Sequence, residues 1–195
     1  MLERDRMLRG EAYNPRDAAL LATAQRARAL ISEFTSLPWL DSSRRRDILV
    51  KLLGGVGDGV WIESPFFCEY GENLYIGSDS FVNVNCVFLD AAEIRIGRNA
   101  LIGPAVQLLT VSHPLGARNR VVSEEDRPSG STPYVTIASA IRIGDNAWIG
   151  GGTIVLPGVS IGDNVTIGAG SIVTSDIPAD SLAFGQPCRV QRSLL

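Results

Sequence analysis

Between Ile143 and Pro178 the chain repeats every six residues: IGDNAW, IGGGTI, VLPGVS, IGDNVT, IGAGSI, VTSDIP. Each block opens on a branched aliphatic, and Gly follows it directly at 144, 150, 162 and 168. The tetrapeptide Ile-Gly-Asp-Asn returns at 143 and 161, three blocks apart. A helix would space its apolar residues by three and four and would not tolerate this much Gly. A two-sided strand would alternate every two residues. A strict six describes a short strand, a corner and another short strand. Three of these close a triangular coil, and residues 18 apart then stack on one another. The opening aliphatics plug the interior, while Gly and Asn supply the corner conformations. The expectation is a mainly β protein: a left-handed parallel β-helix behind a short helical segment.

Upstream the pattern changes. Residues 14–34 place Leu20, Ala24, Ala27, Ile31 and Phe34 on one helical face, with Asn14 as cap and Pro15 at the first helical position. Leu37-Pro38-Trp39 breaks this helix. A second runs from Asp41 or Ser42 to Leu53 and stops at Gly54. Its Arg44-Arg45-Arg46 run reads as a solvated face, with phosphate contact the alternative. Short strands begin at Val60, and the six-residue spacing restarts at Ile76-Gly77 and Val82. It continues in a shifted phase at Ile96-Gly97, Ile102-Gly103 and Leu108, so an irregular coil or bulge is expected in Phe88–Ile94. The division is therefore 1–57, helical, and 58–192, β-helix, with an inserted loop at about 110–134. That loop carries no hexads and is rich in Pro, Arg, Glu and Ser; such excursions from compact scaffolds are functional or disordered.

The 195 residues suit one main domain, 45% hydrophobic and 20% charged. A net charge of −3 offers no global attraction to nucleic acid or membrane. MLERDRMLRG has charges where a signal peptide needs an apolar core, and no run approaches a membrane span. Cys68, Cys86 and Cys188 are odd in number and lack metal-ligand spacing, so they read as structural thiols in a reducing cytoplasm. His113 is the one histidine. It stands where the loop leaves the scaffold, and no other side chain here has an ordinary pKa suited to proton transfer near neutrality. A lone histidine excludes the three-histidine zinc site that some β-helical enzymes carry, so no metal is expected.

Four segments resemble the maltose/galactoside O-acetyltransferase family of hexapeptide acyltransferases. They are Gly10-Glu-x-Tyr13 with Asp17 and Arg26-x-Arg28-x-Leu30-Ile31; Glu63–Gly71 with Phe81–Asp90; Thr110-Val-Ser-His-Pro114; and Ile143–Gly151 through Pro187–Arg192. The hexads specify only the fold, whereas T-x-x-H-P and P-C-R-V together specify the family. The resemblance implies transfer of acetyl from acetyl-CoA to a hydroxyl of a sugar or polyol, with His113 as general base. It implies that Asn83 hydrogen-bonds the acceptor and that Asp17, Glu69 and Asp90 line the same pocket. The family shows Asp or Ser where Glu69 stands, and Ala91 replaces an acid that some members carry, which leaves the acceptor's identity open. Trp148 would lie beside the histidine and the pantetheine arm, or else pack as a corner aromatic on a neighbour. Gly151, Ala169 and Thr174 match pantetheine contacts, and Arg189 and Arg192 match positions near the coenzyme phosphates. Backbone N–H groups of Gly150-Gly151-Gly152 are candidates for the oxyanion. Family members are trimers with each active site between two subunits, so a homotrimer is expected. The alternatives are a related acyltransferase with a non-sugar acceptor and a non-catalytic scaffold. Pro133–Gly144 is longer than in relatives by about half a coil, through either an extended loop or a strand in Val135–Ile141. Such a change could move His113 and Trp148 out of one cleft.

Overall fold

The computed structural model describes residues 2–195. It is a left-handed parallel β-helix of about six turns, closed at one end by helices. The first face is built from Gly55–Val56, Leu74–Ile76, Ile94–Ile96, Ile141–Ile143 and Ser160–Ile161. The second contains Trp61–Ile62, Phe81–Val82, Leu101–Ile102, Trp148–Ile149, Thr166–Ile167 and Ser181–Gly185, with Cys188–Ser193 returning antiparallel at its top. The third contains Phe67–Cys68, Val87–Leu89, Gln107–Leu109, Ile154–Val155 and Ile172–Val173. All six hexad-opening aliphatics between Ile143 and Val173 are buried.

Ladder pairing explains the shifted phase. From the first face to the second, and from the second to the third, the inward residues always lie six apart, as from Ile76 to Val82 to Phe88. The corner from the third face back to the first varies. Cys68 to Ile76 and Phe88 to Ile96 each take eight residues, Val155 to Ile161 takes six, and Val173 to Ile177 takes four. The irregularity expected in Phe88–Ile94 is this widened corner, and Cys68–Leu74 repeats it one coil earlier. The long excursion leaves from the same corner, between Leu108 and Ile143.

The recurring tetrapeptide has a physical reason. A Cβ on Gly144 would meet the Asp163 backbone nitrogen at 2.6 Å, so only glycine lets the coils stack there. Asp145 and Asp163 each accept a backbone N–H from the coil beneath, from Arg98 and Asp145 at 2.8 Å. Asn146 and Asn164 take left-handed backbone, at φ 58° and 56°, which Asn tolerates better than most residues. Their amides form a ladder, Asn99 to Asn146 to Asn164 to Asp180.

Helix α1 (Glu3–Leu8) was not legible in the sequence pattern; α2 (Ala18–Ser36) and α3 (Ser42–Leu52) were. Asp17 rather than Asn14 caps α2, accepting from Ala19 N at 3.0 Å. Asp41 caps α3. The arginine run is not a uniformly solvated face: Arg45 is buried, its guanidinium 4.0 Å from the Phe34 ring centroid and donating to Ile62 O at 2.8 Å. Among the described residues no helix is long and apolar enough to cross a membrane.

Candidate active site

At the variable corner, backbone groups left over by the widened coils are taken up by side chains. Thr110 Oγ1 accepts from Ala92 N at 2.9 Å, and Asp90 Oδ1 accepts from Glu69 N and Tyr70 N, both at 2.9 Å. From Thr110 the chain leaves the prism as Val111–Ser112, paired antiparallel with Ile137–Ala138. Thr136 in turn bridges to Tyr13 of the N-terminal segment. The excursion is therefore structured: it holds a short helix at Ala117–Arg120 and closes on itself where Val122 N meets Pro133 O and Val135 N meets Arg120 O. The extra half-coil noted after Pro133 supplies the strand Ile137–Ala138. The prism frame survives it, since Ile96 pairs with Ile143 and Leu108 with Val155.

His113 follows at the mouth of this layer, exposed. Its Nδ1 lies 2.7 Å from Val135 O, and Tyr134 stands edge-on to its ring, centroids 5.3 Å apart and planes at 84°. A carbonyl oxygen only accepts, so in neutral imidazole Nδ1 carries the hydrogen and Nε2 keeps its lone pair. That is the protonation state a base needs.

Four acceptor-side residues were expected, and Glu69 and Asp90 lie at this edge. Glu69 is half-buried, and burial, with the nearby Asp90 charge, raises its pKa while Arg28 opposes the rise. Tyr13 is close enough to feel the Glu69 charge, so the N-terminal segment reaches the same place. Asp90, expected to line the acceptor pocket, is wholly buried, with its carboxylate turned onto the N–H groups of Glu69, Tyr70 and Asn73. Asp17 has one carboxylate oxygen occupied by the α2 cap.

Asn83 sits elsewhere, at the corner between the second and third faces. There a groove of about 500 Å³ is lined by Asn83, Leu101, Pro104, Trp148, Gly151 and Ala169, among others. Trp148 is 55% exposed, stacked in the outward column Trp61, Phe81, Leu101, Trp148, Thr166. Arg189 and Arg192 are exposed on the return strand at the top of this same face. Of the glycine triplet, Gly150 N and Gly152 N are spent on Ile167 O and Pro104 O, which leaves only the Gly151 N–H to meet an oxyanion. Thr174 lies at the His113 side of the prism, after the third-face strand Ile172–Val173. Within one chain, then, His113 and the groove occupy opposite edges of the third face.

Two family profiles match: residues 6–57 the maltose acetyltransferase hexapeptide capping motif, and residues 140–175 the bacterial transferase hexapeptide, six repeats. Nodulation protein L of Rhizobium meliloti (strain 1021) is 41% identical over 189 residues, 97% of each chain. The chain belongs to the maltose/galactoside O-acetyltransferase family. The crystal structure of a maltose O-acetyltransferase from Clostridium difficile 630 is similar at TM-score 0.90 and 40% identity, covering 100% of this chain and 98% of that one. Galactoside acetyltransferase in complex with coenzyme A is similar at TM-score 0.87 and 34% identity, covering 100% and 92%.

Two features of this family member escaped the sequence reading. Arg28, the second arginine of the Arg-x-Arg motif, is close enough to oppose the rise in the Glu69 pKa, and the motif itself was the signal. Tyr134 and Val135, which contact the His113 ring, lie in the segment whose extra length was visible.

Proposed function

We propose that this chain is an acetyl-CoA-dependent O-acetyltransferase that acetylates a hydroxyl of a sugar or related polyol, with His113 as general base. The observation that carries this reading is the 2.7 Å contact of His113 Nδ1 with Val135 O, which leaves Nε2 as an outward lone pair. Nε2 takes the acceptor's hydroxyl proton as the oxygen attacks the thioester carbonyl. The Gly151 N–H receives the developing oxyanion. Collapse expels the coenzyme thiolate, and the imidazolium returns the proton to sulfur. Trp148, Gly151 and Ala169 line the pantetheine groove, with Arg189 and Arg192 above it for the phosphates and Thr174 contacting the arm from a neighbouring edge. Glu69 and Asp17 hold the acceptor, Asn83 hydrogen-bonds it, and Asp90 acts from beneath by fixing the Glu69 backbone.

Assembly supplies the missing proximity. The second face presents Trp61, Phe81, Leu101, Trp148 and Thr166, and the third presents Phe67, Val87, Gln107, Ile154 and Ile172, whereas the first presents Tyr75, Arg95, Arg142 and Ser160. Two largely apolar faces and one polar face suit a closed ring in which the second face of one prism meets the third face of the next. A homotrimer of this kind brings the groove of one subunit beside His113 of another. Because the acceptor is a hydroxyl, the direct route needs no acyl-enzyme. Cys68, Cys86 and Cys188 are buried, and burial pushes their thiols up, Cys86 to about 11. The test is His113→Ala. Acetyl transfer to a panel of sugars should fall by about 10²–10⁴ in kcat while acetyl-CoA still binds. Turnover at the wild-type rate would sink the assignment.

A further inference from the structure

Nothing in the family pattern accounts for the segment Tyr134–Ala138. It forms the middle strand of a small layer outside the prism. On one edge it pairs with Val111–Ser112, the strand that delivers His113; on the other, Thr136 bridges to Tyr13 of the N-terminal segment, with Tyr13 N to Thr136 O at 3.1 Å. Two consecutive residues of this strand touch the His113 imidazole from different directions. The Val135 carbonyl meets Nδ1 at 2.7 Å, and the Tyr134 ring meets the imidazole edge-on at 5.3 Å between centroids. Tyr134 is 40% exposed; its backbone bridges to Val121, and its ring lies against the imidazole rather than in a core. His113 is itself exposed, and among the described residues no carboxylate hydrogen-bonds its ring. An imidazole at the mouth of a loop, held by one hydrogen bond, can still turn about χ2, which would exchange the two ring nitrogens.

We infer that Tyr134 is a positioning residue for His113: its ring blocks that rotation, keeping Nδ1 on the Val135 carbonyl and the Nε2 lone pair outward. A carbonyl alone fixes a tautomer only while the ring faces it, and the edge-on aromatic contact makes that orientation persist. The role needs the ring and not its hydroxyl, for which the structure gives no partner among the described residues. The inference rests on the reading of His113 as base for its kinetic consequence only. The orientation of the ring is measurable without any substrate.

His113 being the one histidine, a tag-free protein labelled with ¹⁵N-histidine shows a single Nδ1/Nε2 pair by NMR. In the wild type at high pH, Nδ1 should be protonated and Nε2 bare. Tyr134→Ala should move both nitrogens toward the averaged values of a mixed tautomer and should lower kcat about ten- to hundredfold with the KM for acetyl-CoA unchanged. Tyr134→Phe is the rescue and should restore both readouts. If Tyr134→Ala disorders the arm, Tyr134→Leu, which keeps the bulk without the ring, decides by the same tautomer shift. Wild-type ¹⁵N values in the Ala or Leu variant would overturn the inference, and so would a Phe variant as impaired as Ala. A fully active His113→Ala, alongside the tautomer shift in Tyr134→Ala, would instead refute the assignment of the base and leave the positioning of the ring standing.

Discussion

Asp90→Ala separates a residue that braces the site from one that touches the acceptor. The Asp90 carboxylate is wholly buried and accepts from Glu69 N and Tyr70 N at 2.9 Å and from Asn73 N at 3.3 Å. Removing it strands the Tyr70 and Asn73 donors, both in buried residues, while Glu69 N keeps a second acceptor in Phe88 O at 3.1 Å. Two orphaned buried N–H groups cost about 1–3 kcal/mol each. Against this stands the relief of no longer burying a carboxylate, whose pKa burial raises above the ordinary range despite the backbone donors. The net loss should be about 2–4 kcal/mol, a large share of a typical domain stability of roughly 5–15 kcal/mol. For a chain of this size that corresponds to a fall in Tm of roughly 5–15 °C. The assay is thermal unfolding at fixed protein concentration, with hydrogen exchange at the Tyr70 and Asn73 amides, which should speed up. Asp90→Asn keeps an acceptor oxygen and should fall between. A rise in acceptor KM with Tm and exchange unchanged would refute the bracing role and make Asp90 a direct contact.

Two further outcomes follow from the same geometry. Burial and the Asp90 charge raise the Glu69 pKa, so the folded state binds the proton more tightly than the unfolded chain; stability is then lost as pH climbs from the ordinary carboxylate range through the raised folded value. Glu69→Gln should flatten that decline in Tm as pH rises from about 4, the ordinary carboxylate range, and an unchanged slope would place the effect elsewhere. Leu101→Glu puts a charge in the middle of the apolar second face, where Leu101 is 51% exposed in the single chain. Sedimentation should show smaller species with loss of activity; an intact trimer would mean that this face is not the interface.

The hexads between Ile143 and Pro178 made the prism legible because each repeats one physical requirement: an inward plug, a glycine under the next coil, a corner residue tolerant of positive φ. The first coils were harder to read because Trp61-Ile62 and Phe67-Cys68 meet the inward requirement without the glycine that advertises it. Helix α1 is six residues long and gives no periodicity to read, and the closing hairpin Ser181–Ser193 carries no hexad. The burial of Arg45 does not show in the arginine run, whose other two members pair at the surface with Asp41 and Asp58. His113 could be found from its motif, whereas Tyr134 could not, because their proximity depends on an antiparallel pairing across the inserted arm.

The corner that returns the third face to the first gives this scaffold a splice point. Every other corner is locked: one extra residue there would turn the next strand's inward plugs outward and break the stacking of every coil above. At this corner the chain tolerates four, six or eight residues between plugs, or a whole folded arm, and the coils above still align. New length admitted here emerges beside His113 rather than at random on the surface. A lineage can therefore lengthen or shorten the segment around His113 by editing one loop, while the coils above stay in register.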